Sequence, residues 1–132
     1  MCPTRRGLLR LTTALCAVAV PFSPSRAQAQ SWPSKAVRII VPGGPGGVTD
    51  IRARWLADRL SPALGQAVVI ENRAGAGGNI GTVAAVRSTP DGYTLLIVHI
   101  GTIMAINPHL YANPGYDPLT DIAPITRIGV GP

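Results

Sequence analysis

Cysteine is almost missing from this 132-residue sequence, and the two present, Cys2 and Cys16, both fall in the first 29 positions. Beyond that stretch there is no disulfide, no thiolate metal site and no cysteine nucleophile. Histidine is nearly as scarce: only His99 and His109 occur, so neither metal-binding H-x-x-x-H nor H-E-x-x-H spacing exists, and no G-x-S-x-G elbow appears. No metal, no cofactor and no catalytic residue is expected, and the chain does not read as an enzyme. Aromatics make up just 5% of the chain. The net charge of +6 is uneven, because four of the 12 basic residues (Arg5, Arg6, Arg10 and Arg26) lie in the first 29 positions, which hold no acid. The remaining eight face six acids and are scattered, apart from Arg52, Arg54 and Arg59. A nucleic-acid surface needs a concentrated basic stripe with aromatics, so no nucleic-acid partner is expected.

Long apolar runs are absent too. Residues 11–22 are apolar, but a stable membrane span needs about 20 residues. This short run follows Thr4-Arg5-Arg6-Gly7-Leu8-Leu9-Arg10 and precedes Ala27-Gln28-Ala29. A basic segment, an apolar segment and a small-x-small site make residues 1–29 an export signal, with cleavage near Ala29 and a periplasmic destination. The paired arginines fit a twin-arginine signal as well as a general secretory one. Leu15 precedes Cys16 where a lipoprotein signal wants a small residue, which argues against lipidation.

Glycine and proline, by contrast, are plentiful at 15 and 13. They cluster, and so mark the ends of elements. Val37-Arg38-Ile39-Ile40-Val41 is a β-branched run closed by Pro42, as expected of a buried strand. The glycine-rich loop 43–47 leads to a helix capped by Thr49 or Asp50, with an apolar stripe at Ala53, Leu56, Leu60 and Leu64. Arg54, Asp58 and Ser61 fall on its other side. Pro62 should end or kink the helix, and Gly65 should finish the turn. The pattern then repeats: a strand at 67–71, a loop at 73–78, and a helix from Asn79 to Arg87 capped by Asn79 and packing through Ile80, Val83 and Ala84. Pro90-Asp91-Gly92 is a turn, 93–99 a third strand, and a short helical stretch follows Gly101-Thr102. The apolar segment 122–128 reads as the start of another strand. Alternating strands and helices imply an α/β fold with a parallel sheet and right-handed βαβ units. Three strands make a small sheet, so residues 30–132 are expected to be an incomplete, truncated lobe.

In an open parallel sheet ligands bind beyond the carboxyl ends of the strands, and here all three strands deliver glycine to that edge. Two of the loops feed helix N-termini, whose free N–H groups and positive dipole end favour an anion. The candidate ligand-binding residues are Gly46, Gly47, Val48, Thr49, Asp50, Gly77, Gly78, Asn79, Gly101 and Thr102. The same glycines also serve tight turns, and capping accounts for Thr49, Asp50 and Asn79 without any ligand. Trp55 reads as packing or surface cover, not as a stacking ring. A nucleotide phosphate fits less well: no G-x-x-x-x-G-K-[ST] frame occurs, and Ile80 stands at the third glycine of G-x-G-x-x-G.

The sequence resembles the Bug-type receptors, the periplasmic substrate-binding proteins of tripartite tricarboxylate transporters. The matching stretches are W-P-S-K-A-V-R-I-I-V-P (32–42), P-G-G-V-T-D-I-R-A-R (45–54), V-V-I-E-N-R-A-G-A-G-G-N-I-G (68–81), P-D-G-Y-T-L-L (90–96), G-T-I-M-A-I-N-P-H-L-Y (101–111) and Y-D-P-L-T-D-I-A-P-I-T (116–126). The resemblance implies a monomeric, two-lobed periplasmic-binding-protein fold about twice this length. Such a receptor holds a small carboxylate between its lobes and passes it to a membrane permease. It implies further that the loop 45–50, the turn at Gly77 to Asn79, and Gly101-Thr102 hold the carboxylate through backbone N–H groups and ordered water. Two positions depart from the family pattern: Gly43 replaces a usual aromatic residue, and Met104 stands where histidine is common. Two alternatives remain at this stage, a nucleotide-binding α/β enzyme domain and a non-functional truncated remnant of a receptor.

Overall fold

The computed structural model describes residues 31–129; the export signal expected at 1–29 lies outside them. Three parallel strands, β1 (Val37–Val41), β2 (Val68–Asn72) and β3 (Thr94–Leu96), form one sheet in the order β2-β1-β3. Between them run the helices α1 (Val48–Leu64) and α2 (Asn79–Val86), and α3 (Asn107–Leu110) follows β3 after a π-helical segment, Gly101–Ile106. The expected α/β class with parallel βαβ units is what forms.

β1 is the central strand and the most buried. Val37, Ile39, Ile40 and Val41 are all at most 1% exposed, which explains why the run is continuously β-branched: both of its faces are covered. Ile39 and Val41 pack with Ala53 of α1, and Leu56, Val68, Ile70, Leu95 and Ile97 surround them. α1 lies against β1 and β2, whereas α2 lies against β1 and β3. With right-handed crossovers, moving from β1 to β2 and then back past β1 to β3 sends the two helices to opposite faces. The sheet order therefore reverses at β1, and a crevice opens there beyond the strand ends.

α1 keeps the expected stripe but differs at both ends. It runs on to Leu64 through Pro62, and left-handed Gly65 (φ 64°) stops it. Ser61, expected on the solvent side, holds this last turn. Its hydroxyl donates to the Ala57 carbonyl (2.8 Å) and accepts from the Val68 N–H (3.1 Å), tying the helix end to the start of β2. The N-cap is Gly47, with no side-chain cap, so Thr49 and Asp50 are the second and third helical residues and not caps. In α2 the cap is Gly78, not Asn79. The face that packs is also different: Asn79, Gly81 and Thr82 are buried, while Ile80 is 55% exposed. The reason is a close backbone approach. A Cβ on Gly81 would stand 2.7 Å from both Pro42 Cα and the Arg73 carbonyl oxygen, so the small side of the helix faces the sheet.

β3 is shorter than the expected 93–99. Ile97 N–H still reaches the Ile40 carbonyl (3.1 Å), but β1 then ends at Pro42, which has no N–H to extend the ladder. The strand expected at 122–128 does not form among the described residues. That segment is irregular, and Ile125 is 80% exposed.

Candidate functional site

Because the sheet is parallel, the loops after its strands share one edge. Val41 pairs with Asn72 and Ile40 with Leu96, so β1, β2 and β3 all end within about one residue of each other. At the crevice between the ends of β1 and β3 lies a cavity of about 150 Å³, lined by Pro42, Thr49, Gly77, His99, Thr102 and Ile103. Ile103 is its buried floor, Thr49 and Thr102 are half-buried walls, and Gly77 and His99 stand at the exposed rim.

Each wall is built by local chemistry. The loop 43–47 is pinned from below by Asp50, which is only 2% exposed. Its Oδ2 accepts from the Gly46 N–H (2.9 Å) and from Arg54 Nε (3.0 Å), and its Oδ1 accepts from Asn72 Nδ2 (2.9 Å). These bonds, led by the one from Arg54, hold the Asp50 carboxyl at a pKa of about 2, below its ordinary 3.8. The acid thus fixes the loop and neutralises Arg54. The first N–H groups of α1 lack intrahelical partners, and the positive end of the helix dipole adds to them.

The wall at Gly77 depends on a buried amide cluster. Asn107 Nδ2 donates to the Gly77 carbonyl (3.0 Å) and to Asn79 Oδ1 (2.6 Å). The Tyr116 hydroxyl donates to the Ile103 carbonyl (2.7 Å) and stands 3.3 Å from Asn79 Oδ1. Burial raises the Tyr116 pKa above its ordinary value, which keeps the hydroxyl protonated as a donor. Gly78 makes close packing possible: with φ of 95°, a Cβ there would stand 2.9 Å from Ile103 Cδ1 and 3.1 Å from the Pro42 carbonyl oxygen.

Of the ten residues singled out from sequence, Thr49, Gly77 and Thr102 border this cavity. Gly46 and Gly47 lie in the exposed approach to α1, Val48 is its exposed first residue, and Asp50 lies beneath the loop. The second loop contributes less than expected. Gly78 N–H is used by the Gly75 carbonyl and Asn79 N–H by the Ala76 carbonyl, and Asn79 Oδ1 accepts from Asn107. Gly101 supports the His99 ring. Sequence reasoning missed Pro42, His99 and Ile103. The one signal available was that His99 closes the third apolar run two residues before Gly101. Among the described residues no group of His, Cys, Asp and Glu is placed to hold a metal ion, and no helix is long and apolar enough to cross a membrane.

Comparison with known proteins places this edge in context. Residues 52–132 match the family described as tripartite tricarboxylate transporter family receptor. The protein BugT of Bordetella pertussis is 42% identical over 123 residues, covering 93% of this chain and 36% of its own length. The chain therefore spans about a third of the length of the curated relatives it matches. The solved structure of the periplasmic binding protein BugD is 49% identical, with a TM-score of 0.63 over 68% of this chain and 29% of that one. An R. palustris protein solved with adipate is 45% identical, with a TM-score of 0.64 over 67% of this chain and 29% of the other. On these matches, the chain belongs to the tripartite tricarboxylate transporter receptor family.

Proposed function

We propose that residues 30–132 form the N-terminal lobe of an exported, two-lobed solute receptor that binds a small carboxylate and delivers it to a membrane permease. The observation that carries this reading is the meeting of Thr49, Gly77 and Thr102, from three separate loops, around one cavity at the strand ends. The α1 N-terminus supplies unpaired N–H groups and a favourable dipole, the hydroxyls supply orientable donors, and the cavity has room for a carboxylate head with bridging water. Family membership and the adipate found with one relative support the same class of guest.

The role is binding, not catalysis, and the receptor acts as a monomer in the periplasm. The cavity is small beside the ~300–1,000 Å³ of pockets that enclose whole ligands, which is why the second lobe is needed to close over the guest. A thermal-shift and calorimetric screen of the complete protein against di- and tricarboxylates, amino acids and monocarboxylates tests the reading. A saturable shift with at least one acid is expected. Silence from every acid at millimolar concentration would remove it.

A further inference from the structure

We propose that His99 is a specificity-determining residue: its imidazole Nε2 donates to a second acidic group on the guest and so favours dicarboxylates over monocarboxylates. The proposal rests on the carboxylate-receptor reading above and adds to it the residue that sorts among acids.

The cavity divides into an inner neutral part and a rim. Its floor and walls, Ile103, Thr49, Thr102 and Pro42, carry no ionisable side chain, and Gly77 adds only backbone. These groups suit a single carboxylate head. Among the described residues His99 is the one ionisable side chain bordering the cavity, and it sits at the exposed rim. A cavity of about 150 Å³ takes the head of an acid and leaves the remainder of a longer guest outside, on the side where His99 stands.

The Nδ1 side of the ring is held against the chain. Nδ1 lies 3.4 Å from the Thr102 hydroxyl oxygen. If this hydroxyl donates to Nδ1, the ring N–H sits on Nε2, because the bond made by one ring nitrogen fixes the tautomer at the other. Among the described residues Nε2 has no hydrogen-bond partner, so its donor is free for a ligand. Gly101 lets the ring lie back in this pose: a Cβ there would come 3.2 Å from His99 Cε1 and 3.4 Å from Nδ1. The nearest charged residue in sequence to the cavity walls, Asp50, is already engaged by Gly46, Arg54 and Asn72 and does not compete for the ring.

Calorimetric titration of the complete protein with succinate and adipate, against propionate and butyrate, tests the assignment at one pH and ionic strength. His99→Leu is expected to weaken the diacids by about tenfold or more, the usual effect of losing a hydrogen bond to a charged group, and to leave the monoacids within about twofold. His99→Gln, which keeps an N–H donor, should restore the diacids to within about threefold. An unchanged diacid-to-monoacid ratio in His99→Leu, or an equal loss for both classes, overturns the proposal. If wild type binds acids and Thr49→Val weakens both classes while His99→Leu alters neither, the receptor reading stands and the role of His99 falls. If wild type binds none of the four acids, the role of His99 falls, and the receptor reading is decided separately by the wider acid screen.

Discussion

Asn72, the last residue of β2, donates its side-chain amide to Asp50 Oδ1 over 2.9 Å and so locks the first turn of α1 to the edge of the sheet. The bond crosses 22 positions of sequence. The loop between β1 and α1 is exposed and rich in glycine, and Gly43 and Gly44 have nothing within 4 Å of a built Cβ. Its shape therefore depends on Asp50, held from one side by Arg54 and from the other by Asn72.

The acid limb of stability should report this lock. Asp50 has a folded pKa of about 2 against 3.8 ordinarily. Between these values the unfolded chain binds more protons than the folded one, so stability rises with pH there. The contribution is present in full above about pH 4 and is lost as pH falls toward 2. Urea midpoints measured from pH 2 to 6 should show a shallower acid slope for Asp50→Asn than for wild type. Superimposable slopes would mean that the carboxylate contributes nothing.

Gly81→Ala should destabilise the fold by about 1–3 kcal/mol, the range for overpacking a close-packed site. The added methyl meets the backbone at Pro42 and Arg73, which cannot rotate aside, so α2 must lift from the end of β1. Chemical denaturation measures the loss. A variant as stable as wild type would contradict the described approach of helix and strand.

Asn107→Ala removes both donors that tie Gly77 and Asn79 to the start of α3. Leaving the buried Asn79 acceptor unpaired costs about 1–3 kcal/mol. The midpoint of unfolding should fall accordingly, and carboxylate affinity should fall with it, since the Gly77 wall loses its anchor. Retained affinity in a clearly destabilised protein would detach this cluster from the site.

Thr49→Val conserves shape at the cavity wall and deletes one hydroxyl. Affinity for carboxylates should drop by roughly tenfold, in line with a hydrogen bond to a charged partner, while the melting temperature moves little because Thr49 is only half-buried. Parallel calorimetry and thermal unfolding separate the two effects; a loss of stability without a loss of affinity contradicts the assignment.

Much of the fold was legible in residue order. The continuous β-branched run at β1, the stripe at Ala53, Leu56, Leu60 and Leu64, and Gly65 at the helix end all follow from local periodicity and backbone preference. Other features turned on partners far away in sequence. The helix passes Pro62 because Ser61 finds Val68, and β3 stops early because its neighbour ends at Pro42. Asn79 looked like a cap, but Gly78 takes that place, and Asn79 Oδ1 accepts from Asn107, 28 positions away.

The order of residues alone determined that the first two strands would be followed by glycine-rich loops and that both loops would open helices, because turns and helix starts are local chemistry. It did not determine which strand lies in the centre. The order β2-β1-β3 is decided by burial of both faces of β1 and by the hand of the crossovers, and that order brings Thr49, Thr102 and His99 to one crevice. A histidine three residues past a strand is an ordinary residue until packing sets it at the mouth of a cavity.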